Sequence, residues 1–345
     1  MPHANPLLRP FLAAALLLLL PLAGCGAPAQ LGPGDRERVA GRTFVVTGAS
    51  SGLGRGVAVR LGSYGAKVVL AARRAAVLEE VAGDVRAAGG QALVVPTDVS
   101  RPEEVERLAA AAVERFGRID VWINDAGVGV IGRFEEVPVE DHARVVDVNL
   151  KGVIFGSHAA LRQFRRQGAG TLVNIASVEG RVPLAYHASY AATKHAVVGL
   201  GVTLNQELWL NGPAGIRVAT VEPWAVDTPF WEHAANRSGG SPRAYRMDGA
   251  EEVVDAIVWV SLHPRVEYAV GWKAEGAVFG HRVWPRLTEN LAGDMAHGAQ
   301  VETAPPAPST AGSLHQPMNG GSAVEGGARE RMERENAARR ESGAR

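Results

Sequence analysis

Cysteine is nearly missing from this chain: Cys25 is the one example among 345 residues, so no disulfide framework can form within it. Charge of either sign is not in excess. Thirty-six Lys and Arg balance 36 Asp and Glu, which gives no basic footprint for nucleic acid or for an anionic membrane surface. A long hydrophobic run is also lacking. The strongest, residues 11–20, is too short to span a hydrocarbon layer of ~30 Å as a helix. No Cys, His and carboxylate cluster has the spacing of a metal site, so no metal is expected. His187 and His195 read as packing or surface residues. What is present is a 46% apolar chain, enough for a globular core.

The two ends read as lying outside that core. Arg9, the apolar run and the small residues Ala23 and Gly24 suit a secretory signal over positions 1–24. Leu22-Ala23-Gly24-Cys25 resembles the lipobox of bacterial lipoproteins, which implies a lipid on Cys25 and a membrane-associated protein. A cytoplasmic location is the alternative. Positions 25–38 read as a linker. From 294 to 345 the chain is rich in Gly, Pro, Ser, Thr and Ala and then alternates Arg with Glu, which predicts a disordered tail.

Between them, residues 39–293 alternate short apolar runs with longer helical patterns. Strands are expected at 43–47, 67–71, 91–95, 121–124, 170–176, 216–221 and 266–269. Helices are expected at 52–64, 75–88, 102–116, 141–167, 189–211 and 251–262. Near-continuous apolar strands alternating with helices predict one α/β domain, a doubly wound parallel-sheet Rossmann domain with helices on both faces. Ligands of such a sheet bind outside the carboxyl ends of its strands.

The first strand runs into Thr47-Gly48-Ala49-Ser50-Ser51-Gly52-Leu53-Gly54 and then a helix. Glycines there allow a tight turn and close approach of backbone to a pyrophosphate, and the helix N-terminus offers N–H groups to it. An NAD site places a carboxylate at the end of the second strand for the ribose 2′-hydroxyl. Here the strand ends in Ala72-Arg73-Arg74, and the Arg73 fork suits a 2′-phosphate, so NADP(H) is the preferred cofactor and NAD(H) the second choice. Tyr190 and Lys194, four apart on a helix, share one face. An ammonium beside a phenol favours its ionised form. Ser177 ends a buried strand, and its convergence with Tyr190 and Lys194 on one substrate oxygen is the expected catalytic arrangement.

With these motifs the chain resembles the short-chain dehydrogenase/reductase family from about Gly41 to Val270. Gly48, Ser50, Ser51, Gly52, Leu53 and Gly54 match the family's cofactor turn. Thr97-Asp98-Val99 matches the adenine contact, and Asn124-Asp125-Ala126-Gly127 the Asn-Asn-Ala-Gly motif that steadies the central strand, with Asp125 a departure. Asn149 falls at the catalytic Asn, completing a tetrad with Ser177, Tyr190 and Lys194. Thr228 matches the threonine that touches the nicotinamide carboxamide. Trp224 departs from the usual Pro-Gly.

The resemblance implies an NADP(H)-dependent oxidoreductase that interconverts a carbonyl and a secondary alcohol, with Tyr190 as general acid/base and Lys194 lowering its pKa. The substrate is expected to be small and apolar, beneath Trp224, Phe230 and Trp231. A homodimer or homotetramer formed through helices 141–167 and 189–211 is also implied. A second reading, a weakly active or inactive membrane-tethered Rossmann scaffold, rests on Trp224 and the leader.

Overall fold

The computed structural model describes residues 30–341; the leader, the lipobox and Cys25 lie outside the described residues. Seven strands form one parallel sheet: β1 (Thr43–Thr47), β2 (Lys67–Ala72), β3 (Gln91–Pro96), β4 (Val121–Asn124), β5 (Ala169–Ile175), β6 (Gly215–Pro223) and β7 (Glu267–Val270). Their spatial order is β3-β2-β1-β4-β5-β6-β7. Winding therefore reverses between β1 and β4, and the crevice at their carboxyl ends is where such a sheet holds ligands.

Every residue of β1 and β4 is buried, because both sheet faces are covered. Phe44 and Val46 of β1, with Val68 and Leu70 of β2, face one core. Helices α2 (Gly52–Ser63), α3 (Ala75–Ala87) and α8 (Ala250–Leu262) cover that side. The alternate residues Val45, Val69 and Ala71 face the other core, under α4 (Pro102–Phe116) and α6 (Gly152–Gln167). A short α1 (Pro33–Val39) precedes β1, inside the stretch expected to be a linker.

The helix expected at 141–167 is divided. Helix α5 (Val139–Val146) passes through a wide π-turn, Asp147–Lys151, before α6 begins. The cause is Asn149, whose side-chain amide is bound to the backbone of Val128 instead of facing outward. Helix α7 (Ala188–Asn211) carries Tyr190 and Lys194. After β7 come two helices that the sequence pattern did not distinguish, α9 (Gly271–Val283) and α10 (Pro285–His297). No helix among the described residues is long and apolar enough to cross a membrane.

The tail expected to be disordered is instead laid across the domain. Residues 312–328 form an irregular arm of turns and bends along the cleft, running into α11 (Ala328–Glu341). Apolar burial contributes little beyond Leu314, Val324 and Ala328. What holds the segment is hydrogen bonding of its backbone and polar side chains to Arg73, Arg74, Arg144 and Arg243. Composition measures apolar burial, and these long-range polar contacts leave no local signature in it.

Candidate active site

The turn from β1 into α2 is closely packed. Gly48 has φ +74°, and a Cβ there would lie 2.9 Å from the Ala126 backbone. A Cβ at Gly54 would lie 2.5 Å from the Gly48 carbonyl oxygen. Both positions therefore require glycine, and with it the first turn of α2 can approach the end of β4. Gly48, Ser50, Ser51, Gly52 and Leu53 line the cleft, while Gly54 lies behind them.

Beyond β2, Arg73 and Arg74 border the same cleft. Arg74 donates to the Ser50 hydroxyl (3.2 Å) and to the Ser50 carbonyl (3.0 Å). Burial and the neighbouring charge of Arg144 hold the Arg73 guanidinium below its ordinary range. Asp98 and Val99 line the cleft beside them. Burial pushes the Asp98 carboxyl up, but hydrogen bonds from Ser100 and Arg144 outweigh it, and the group stays below its usual range. Arg144, on α5, was not singled out in the sequence because its 2.8 Å bond to Asp98 joins residues far apart in the chain.

Ala126 and Gly127 line the cleft as expected, whereas Asn124 does not. Its amide is used within the core: the indole N–H of Trp122 donates to it (2.8 Å), and it donates to Asn174 on β5 (2.9 Å). That is a strand-steadying role without cleft contact. Asn149 is likewise fully buried; it accepts the Val128 N–H and donates to the Val128 carbonyl, both at 2.8 Å.

Ser177, Tyr190 and Lys194 are brought together on one wall. Ser177 lines the wall beside Tyr190, where its hydroxyl favours the phenolate, and it accepts the Glu179 N–H (3.1 Å). The Lys194 ammonium lies 5.5 Å from the Tyr190 ring centre and donates to the Ile175 carbonyl (2.8 Å). Burial pushes Lys194 down to about 8, against the charges of Asp125 and Glu179. Burial raises Asp125 to about 7, with the Lys194 charge pulling the other way. The expectation that Lys194 lowers the tyrosine pKa is not met. Burial, and then the charge of Glu179, hold the Tyr190 phenol well above its usual range despite the opposing influence of Ser177. In this setting the Tyr190 phenol keeps its proton at neutral pH.

His187, expected to be a packing residue, is buried beside this wall and paired with Glu179 (3.1 Å). Burial opposes its charge, yet the Glu179 carboxylate raises its pKa overall. Glu179 itself was missed, since one carboxylate after Ser177 has no pattern to mark it. Phe230 lies against Tyr190 (5.4 Å between ring centres) and, with Trp231, Leu291 and Met295, gives the substrate end an apolar lining. Thr228 lines the cleft beneath them. Trp224 is not among the residues with positive φ, so the turn after β6 accepts a side chain without strain, and its indole donates to the Tyr245 carbonyl (3.1 Å). The backbone objection to a tryptophan here therefore falls away, while its side chain lines the cleft.

Residues 42–238 match the family model described as short chain dehydrogenase. The chain belongs to that family. A Bacillus subtilis protein named as an uncharacterized oxidoreductase is 32% identical over 282 residues, which is 81% of this chain and 79% of that one. A second uncharacterized oxidoreductase, from Staphylococcus haemolyticus, is 36% identical over 65% of this chain and 92% of its own. Among solved structures, an alcohol dehydrogenase from Thermococcus sibiricus, complexed with 5-hydroxy-NADP, is similar with TM-score 0.57 and 28% identity over 66% of this chain and 95% of that chain. A short-chain type dehydrogenase/reductase from Mycobacterium marinum is similar with TM-score 0.59 and 26% identity over 70% of this chain and 96% of that chain. As a short-chain dehydrogenase the chain is an oxidoreductase, and NAD(P) is the cofactor class of its family.

Proposed function

We propose that this short-chain dehydrogenase is NADP(H)-dependent and interconverts an apolar carbonyl compound and its secondary alcohol, with Tyr190 as general acid/base. The observation that carries the reading is the cleft itself. Ser177, Tyr190 and Lys194 form one wall, the glycine turn of α2 another, and Arg73 and Arg74 stand where β2 ends without a carboxylate. The close-packed turn and the paired guanidinium groups fit a dinucleotide bearing a 2′-phosphate.

When bound, the nicotinamide supplies or takes the hydride. The chain does the rest. Ser177 holds the substrate oxygen and stabilises charge developing on it. Tyr190, held protonated by its burial, gives a proton to that oxygen in reduction. In oxidation the same group takes the proton back from the alcohol. Lys194, on the same wall, would hold the nicotinamide ribose hydroxyls, as its resemblance to the family implies. Asn149 positions the turn ahead of α6 without touching substrate. The apolar rings of Phe230 and Trp231 select the substrate body.

The coenzyme part is tested by kcat/KM for NADPH and NADH with a panel of apolar ketones and aldehydes. NADPH is expected to be preferred. Arg73→Ala is expected to lower the NADPH-to-NADH ratio by about 10–100-fold, the worth of a charge-assisted hydrogen bond. An unchanged ratio, or preference for NADH in the wild type, contradicts the reading.

A further inference from the structure

The arm at residues 312–328 uses the donors that cofactor phosphates would need. It enters where the Ser313 N–H meets the His233 carbonyl (2.7 Å) and leaves where the Ala328 N–H meets the Asp227 carboxylate (2.8 Å). In between, Arg73 donates to the carbonyls of Ser313, Leu314 and His315. Arg74 donates to those of Met318, Gly320 and Gly321. Arg55, on α2, donates to the Ser322 carbonyl (2.9 Å). The N–H of Gly52, at the start of α2, donates to the Ala323 carbonyl (2.9 Å).

A run of neutral carbonyl oxygens thus meets the guanidinium forks and the helix N-terminus together. A phosphate at these donors would collide with the carbonyl oxygens or face them at close range. We propose that the arm is an intramolecular competitor of the cofactor: seated, it covers the 2′-phosphate and pyrophosphate donors, and NADPH binds only as the arm lifts away. This rests on the NADP(H) reading above. The apparent affinity is then lowered by the fraction of molecules whose arm is lifted.

The test uses the full chain. At Gly312 an added Cβ would lie 2.1 Å from the His233 carbonyl oxygen, and at Gly326 2.3 Å from backbone atoms of Thr228. Neither obstacle is a flexible side chain, so Gly312→Val with Gly326→Val unseats the arm at both of its ends. This double variant is expected to bind NADPH about tenfold tighter than wild type or better, as for an arm lifted in a tenth of the molecules or fewer. Equal or weaker binding by a folded variant overturns the proposal.

Wild-type protein supplies a second readout that does not depend on the variant folding. Saturating NADPH is expected to speed tryptic cleavage at Arg329, Arg331 and Arg334, which follow the arm. Protection or no change would mean that the arm closes over the cofactor or ignores it, and would overturn the proposal. If NADH binds and NADPH binds neither chain, the coenzyme reading fails as well, which separates that failure from a failure of the arm alone.

Discussion

Asp125 and Lys194 show how one substitution in a motif changes the electrostatics of a site. Where the family has a neutral amide, this chain has a carboxyl in the same buried region as the Lys194 ammonium. Burial disfavours both charges, and each charge favours the other. The Lys194 ammonium is present below about 8 and is lost as pH rises through that value, so the rate of reduction is expected to fall above it. Asp125→Asn removes a negative charge that supports the ammonium. The falling limb of the kcat/KM profile should therefore move to lower pH, and a limb that stays in place would show that the two groups are not coupled. At this scale the sequence exposed the Asp125 departure, and it exposed Ser177, Tyr190 and Lys194 through their spacing. It did not expose Glu179 or Arg144, whose partners His187 and Asp98 are joined to them by folding alone.

Strands were the most legible elements because a parallel sheet buried on both faces leaves an uninterrupted apolar run in the chain. The break between α5 and α6 was less so. Apolar periodicity continues across it, and its cause is a bond from Asn149 to Val128, 21 residues away. A π-turn widens the helix and aims that amide inward, a pattern common at functional sites. Asn149→Ala would leave the buried Val128 N–H and carbonyl without their partner. The expected cost is about 1–3 kcal/mol for a stranded buried group, read as a lower midpoint in thermal or urea unfolding. An unchanged midpoint would mean that the turn is held by other contacts. The turn after β6 carries the reverse lesson: Trp224 looked incompatible with a glycine position, yet its backbone stays in an ordinary region.

For the whole molecule, the Rossmann architecture followed from strand-helix alternation, while the course of the last fifty residues did not. Their Gly- and Ser-rich composition offers little apolar surface, and the arm is ordered by carbonyl groups that meet half-buried arginines just after β2 and on α5. The cleft is therefore assembled from widely separated parts of the chain, among them the glycine turn near residue 50, the Ser-Tyr-Lys wall at 177–194, and the arm beyond 312. The central claim is that this assembly transfers hydride with Tyr190 as proton donor. It is tested most directly by NADPH oxidation with a reducible ketone, wild type against Tyr190→Phe, with an NADPH titration of each. Loss of kcat by about 10²–10⁴-fold at unchanged NADPH affinity is the predicted result. Turnover retained by the Phe variant would contradict the account.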